Sequence, residues 1–158
     1  MSEQSDIPTP EEIPVVEPVV TVDPAEAVTT EERTWALLAH LSIFLNLFTG
    51  LLGTAAALVI YLVYKDKSRY VTYQALQAII FQLVFFFGGG LLIALVWLIT
   101  GLLSIVLVGL ILIPIALILS LLPLGCLAYA IYAAVETYHG KDFKYWLVGD
   151  WTRSALTD

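Results

Sequence analysis

From Trp35 to Tyr64 the chain carries no charged residue, and only His40, Ser42, Asn46, Thr49, Gly50, Gly53 and Thr54 break the apolar run. A short hydrophilic stretch, Lys65-Asp66-Lys67-Ser68-Arg69, separates it from a second uncharged run, the 66 residues from Tyr70 to Val135. Runs of this length are those of membrane helices, each of which needs about 20 apolar residues. Residues 1–30 differ sharply: they hold five of the seven prolines and no basic side chain, with only scattered Val and Ile. Such a segment buries too little apolar surface to offset its ordering entropy. It also lacks the basic start and early apolar core of a secretory signal.

The helices are predicted from this pattern. Thr29 and Glu32 have the spacing of a capping box, so the first helix is expected to start there. The 30 residues from Trp35 to Tyr64 would make one helix about 45 Å long, overlong for a single crossing without strong tilt, whereas two crossings would be short. Asn46-Leu47-Phe48-Thr49-Gly50 is the only turn-like punctuation, and a helix running back to Thr30 approaches a full span, which favours a tight hairpin. The second run is long enough for a further pair, with its turn near 100–104. Gly88-Gly89-Gly90 is expected to interrupt the third helix, and Pro114 and Pro123 the fourth.

Charge tests this count. All seven basic residues fall in three places, Arg33, the 65–69 linker, and Lys141, Lys144 and Arg153 near the C-terminus, while both remaining turns are uncharged. Lys and Arg near helix ends stay on the cytoplasmic side, and four helices with both termini inside satisfy that rule everywhere. The expected fold is therefore an all-α membrane protein of four transmembrane helices arranged as two hairpins in the cell membrane. Its parts are a disordered acidic, Pro-rich tail over 1–29, a helical bundle over 30–140, and a short cytoplasmic C-terminal tail over 141–158.

Composition agrees, with 59% hydrophobic and 13% charged residues over 158 positions, against roughly a quarter charged in a globular domain. The formal net charge of −7 misleads as an average, because nine of the fourteen acidic residues precede Arg33. From Arg33 onward the chain is slightly cationic. Seven basic residues form no patch for neutralising many phosphates, so nucleic acid is not an expected partner. The expected partners are the lipid bilayer and a second copy of the chain or another membrane protein. Cys126, the only cysteine, sits in an apolar run and reads as a small buried hydrophobe.

Candidate chemistry is sparse. Gln74, Gln77 and Gln82 project within an arc of about 140°, together with Tyr70, on the third helix. Amides in hydrocarbon need partners, so this face should point inward, either lining a hydrophilic pathway or tying helices together. His40 is the one ionisable side chain well inside an apolar segment, a candidate site by default, though a neutral imidazole also serves as a packing hydrogen-bond donor. Glu136, His139 and Lys141 read as interfacial, with Gly140 ending the last helix. No hydrolase, metalloprotease or phosphate-loop motif occurs, so no catalytic, cofactor or metal-binding residue is assigned.

Three blocks carry a resemblance. Glu32-Arg33-Thr34-Trp35-Ala36-Leu37-Leu38-Ala39-His40-Leu41-Ser42 resembles the opening of a bacterial membrane domain family of unknown function, related to the Tic-type four-helix subunit of the chloroplast inner-envelope import machinery. Lys65-Asp66 with Ser68, Tyr70-Val71 and Gln77-Ala78 resembles its central block, and Gly140-Lys141-Asp142-Phe143-Lys144-Tyr145 its closing one. This chain has Gln74 where the family often has His and Trp146 where it has Pro, and a longer stretch between the second and third blocks. The resemblance implies four helices with His40 and the Gln77 region as shared features, and supplies no activity. The function expected is a non-enzymatic interaction or structural component of a membrane; the alternative is a subunit of a transport or protein-translocation pathway.

Overall fold

A computed structural model describes residues 27–157, and these are helical throughout apart from turns and one extended segment. The expected disorder of the acidic tail falls mostly on residues 1–26, outside the described residues. Helix α1 (Thr30–Leu41) starts on the predicted capping box: the Thr29 hydroxyl accepts the Glu32 amide at 3.2 Å, and the Glu32 carboxylate accepts the Thr29 amide at 2.8 Å. At Ser42 the side chain donates back to the Ala39 carbonyl at 2.7 Å, and the chain resumes as α2 (Ile43–Thr49).

Gly50, at φ 74°, ends α2. Here the Asn46 side chain caps α3 (Leu52–Tyr64), its Oδ1 accepting the amides of Gly53 at 2.8 Å and Thr54 at 3.2 Å. A Cβ on Gly53 would collide with the Ser42 carbonyl and come within 2.7 Å of that same Oδ1. The tight closure of this hairpin thus depends on Gly53 having no side chain.

Ser68 caps α4 (Arg69–Phe81), which runs through a π-helical turn (Gln82–Phe87) into α5 (Gly88–Ser104). A 3-10 turn (Val108–Leu112), α6 (Ile113–Leu119) and α7 (Leu122–Tyr138) return antiparallel to it. The continuous rods Arg69–Ser104 (36 residues) and Val108–Tyr138 (31 residues) are long and apolar enough to cross a membrane. Length and apolarity therefore single out two spans where four were expected. The reason is local: Ser42 divides the first helix, and α3 at 13 residues is only about 20 Å long.

Two further expectations change. The second turn lies at Ile105–Leu107, beyond the expected 100–104, with Leu107 at φ 65° and Gly109 seated against the Thr100 carbonyl and Ser104. Gly88-Gly89-Gly90 does not interrupt its helix, because the preceding π turn takes up the irregularity. The fourth helix does break where Pro114 and Pro123 were expected to interrupt it: each proline stands in the first turn of the piece after the break, α6 and α7, where a missing N–H costs no intrahelical bond.

The bundle packs α1 on α7 and α3 on α4, with α1 also on α4. Fully or nearly buried Ala36, Ala39, Ala57, Ala75, Ala78, Ala133 and Ala134 let these helices approach closely, the usual device where lipid removes the hydrophobic drive for helix association. Between Gly88 and Leu121 only Gly89, Thr100, Gly109 and Ala116 are buried, so this half of the long hairpin exposes apolar side chains on most sides.

The last segment departs most from expectation. Residues 141–147 run back against the bundle and lead into α8 (Val148–Thr157), which packs on α4. Phe143, Tyr145 and Val148 are core residues, with Tyr145 only 1% exposed. In an extended chain alternate side chains face opposite ways, so Asp142, Lys144 and Trp146 remain outside. The segment read as a short C-terminal tail thus contributes Phe143, Tyr145 and Val148 to the core.

Candidate functional site

The returning strand organises the polar centre. Its directions follow from two backbone groups whose roles are fixed. The Tyr145 amide can only donate, and it reaches Gln77 Oε1 at 2.9 Å; Gln77 Nε2 then donates to the Phe143 carbonyl at 2.8 Å and to Gln74 Oε1 at 3.3 Å. Gln74 Nε2 also donates to the Phe143 carbonyl, at 3.1 Å, leaving its Oε1 as an acceptor for His40 Nε2–H at 3.1 Å. In a neutral ring His40 Nδ1 must accept, and the Tyr145 hydroxyl supplies that proton at 3.1 Å. With no carboxylate in this network, the neutral ring is the form that burial tolerates.

Aromatic rings enclose this chain of bonds. The Tyr145 ring stacks on Phe81 at 4.2 Å and 4°, and meets Phe143, Tyr129 and His40 edge-on at 4.9, 5.1 and 5.4 Å. A second polar centre lies deeper. Gln82 Oε1 accepts from Asn46 Nδ2 at 2.8 Å and Thr54 Oγ1 at 3.1 Å, while its Nε2 donates to Ser42 at 3.0 Å. Gln82 opens the π turn, where the local helical repeat departs from 3.6 residues.

The candidates of the sequence therefore divide. His40, Gln74, Gln77 and Gln82 are all at most 1% exposed, but only the first three meet; Gln82 serves the α2–α3 turn. Tyr70 stays on the same side as Gln74 and Gln77 but outside their network, its hydroxyl directed at the carbonyls of Thr137 and Lys141 where α7 ends and the returning segment begins. Sequence reasoning assigned no role to Tyr145 and Phe143, although the closing block of the resemblance and their alternating spacing in a short hydrophilic segment marked them, and it treated Asn46 merely as turn punctuation. Among the described residues no buried side-chain nitrogen or oxygen lacks a partner, and no three His, Cys, Asp or Glu side chains gather where a metal ion would sit. Chemically this centre holds a strand in place; its donors and acceptors are committed to one another.

At the charged end, the Ser68 hydroxyl donates to Glu32 at 2.6 Å, joining the start of α1 to the cap of α4. That bond, with the Thr29 amide, holds the Glu32 carboxyl below its ordinary value. Arg33 lies along Gly140, and Glu136 pairs with Lys141 at 2.8 Å. Lys65, Arg69 and Arg153 border one cavity there. The three separate groups of basic residues therefore meet at one end of the bundle.

These features define a helical membrane protein with a closed polar centre and a charged cap. Residues 31–152 match the magnetosome magnetite crystal formation protein family, and the chain belongs to that family. The membrane character implied by the earlier resemblance holds, and nothing found ties the chain to the chloroplast import subunit. No curated protein and no solved structure matches it.

Proposed function

We propose that this protein is a non-enzymatic membrane component that contributes to magnetite crystal formation through its interactions, as the family's description suggests. The observation that carries this reading is the closed centre: His40, Gln74 and Gln77 commit their hydrogen bonds to one another, Tyr145 and Phe143, so these side chains line no open pathway. The transport alternative needs those groups open to a pathway.

The proposed topology is two membrane hairpins with both termini on the cytoplasmic side and the apolar turns at Gly50 and Leu107 opposite. Its support is the convergence of all three basic groups on one end. Cysteines placed at Thr49 and Lys67 should label from opposite sides of a sealed vesicle; labelling from one side would refute the double hairpin.

Function is tested by complementation in a magnetite-forming cell lacking its own family member, paired with solute flux in reconstituted vesicles. Restored crystals without conductance support the interaction reading. A conductance lost on Gln77→Leu would overturn it in favour of transport.

A further inference from the structure

The cavity at the charged end, about 450 Å³, lies between the start of α4 and α8 and is bordered by Lys65, Arg69, Thr72, Tyr73, Asp142 and Arg153. Among the described residues Asp142 is the one carboxylate bordering the cavity, and it is already paired with Arg153, whose Nε also donates to the Tyr73 hydroxyl at 3.0 Å. Among the described residues Lys65 and Arg69 have no ion pair.

Their position compounds the imbalance. Arg69 is the first residue of α4, a helix with no acidic residue in its first turn, and the N-terminal end of a helix is itself electropositive. Cations placed there repel the helix end and each other unless an anion intervenes. Glu32 reaches the α4 cap through the Ser68 hydroxyl, but it does not border the cavity and pairs with neither Lys65 nor Arg69. The cavity also lies at the edge of the apolar surface. Exposed Leu62 and Val63 of α3 immediately precede Lys65, and Trp151 is exposed on α8, as at a membrane–water boundary. Its volume falls within the range of small-molecule sites, and the Tyr73 ring supplies an apolar wall.

We infer that this cavity binds a phosphate-bearing anion, with Lys65 and Arg69 as the principal charges and Arg153 positioned by Asp142 and Tyr73 as the third. Both sources of the phosphate group, a membrane lipid headgroup and a soluble phosphate, present the same chemistry to these side chains.

The full chain in phosphatidylcholine nanodiscs provides the test. One arm adds phosphatidylglycerol and counts retained lipid by native mass spectrometry; the other titrates inorganic phosphate and follows the unfolding temperature. Each interfacial Lys or Arg contributes about a factor of five, so the double variant Lys65→Gln/Arg69→Gln should bind about 30-fold more weakly. Both side chains are exposed, so its helical circular dichroism should match wild type. Lys141→Gln, at the same end but outside the cavity and paired with Glu136, should bind as wild type. Retention of phosphatidylglycerol alone identifies a lipid headgroup, and a response to inorganic phosphate identifies the soluble ion; either supports the site. Equal behaviour of wild type and the double variant in both arms, or an equal loss in Lys141→Gln, overturns it.

Discussion

Gln77 accepts the backbone amide of Tyr145 at 2.9 Å across 68 positions of sequence, and through this bond a helix in the middle of the chain holds the returning C-terminal strand. Gln77 Nε2 donates in turn to the Phe143 carbonyl at 2.8 Å, so one side chain satisfies backbone groups on both sides of Lys144.

Replacing Gln77 with Leu keeps most of the volume but strands the Tyr145 amide in a core that is otherwise fully paired. A buried donor left without a partner costs about 1–3 kcal/mol. Denaturant unfolding in detergent should show that loss. Limited proteolysis should cut within residues 141–147 faster in the variant than in the wild type.

Tyr145→Phe retains the stack on Phe81 and removes only the hydroxyl that His40 accepts. It should cost about 1 kcal/mol, and His40→Phe, which also removes the bond to Gln74, should cost less in the Tyr145→Phe background than alone. In a double-mutant cycle the two changes should couple by about 0.5 kcal/mol or more, as for residues in one network. Additive effects would show that the bond contributes nothing to stability.

Two glycines should respond in opposite ways to a methyl group. Gly53→Ala drives a Cβ into the Ser42 carbonyl and the Asn46 cap, a backbone collision that side-chain rotation cannot relieve. It should destabilise by about 1–3 kcal/mol. Gly90→Ala in α5 meets nothing within 4 Å and should stabilise the helix by about 0.5–1 kcal/mol. Thermal unfolding of the two variants side by side checks the contrast.

Acid should loosen the junction between α1 and α4. The Glu32 carboxyl is held below its ordinary value of 4.5, first by the Ser68 hydroxyl and then by the Thr29 amide. The unfolded chain therefore binds the proton more readily. The stabilisation is fully present above that ordinary value and disappears as pH falls through the lower folded value. Unfolding temperatures measured from about pH 6 downward should show this fall, and Ser68→Ala should flatten it.

The sequence by itself determined the solvent this protein lives in, where its first helix begins and where its last long helix ends. Uncharged runs of this length leave no alternative to a bilayer, and the capping box at Thr29 and the terminator at Gly140 are local devices that act without knowledge of the rest of the chain. It also marked His40, Gln74 and Gln77 as needing partners, since buried polar groups cannot go unpaired. Tertiary structure alone decided what those partners are. Gln82 stands apart from Gln74 and Gln77 because it lies more than a helical turn beyond them, where Asn46, 36 residues earlier, claims it. The fate of residues 141–147 was likewise hidden: a short hydrophilic stretch with two aromatics reads as a tail until α1, α4 and α7 together enclose a slot for Phe143 and Tyr145. Periodicity reports which side of a helix is apolar. Only packing determines which distant segment comes to lie against it.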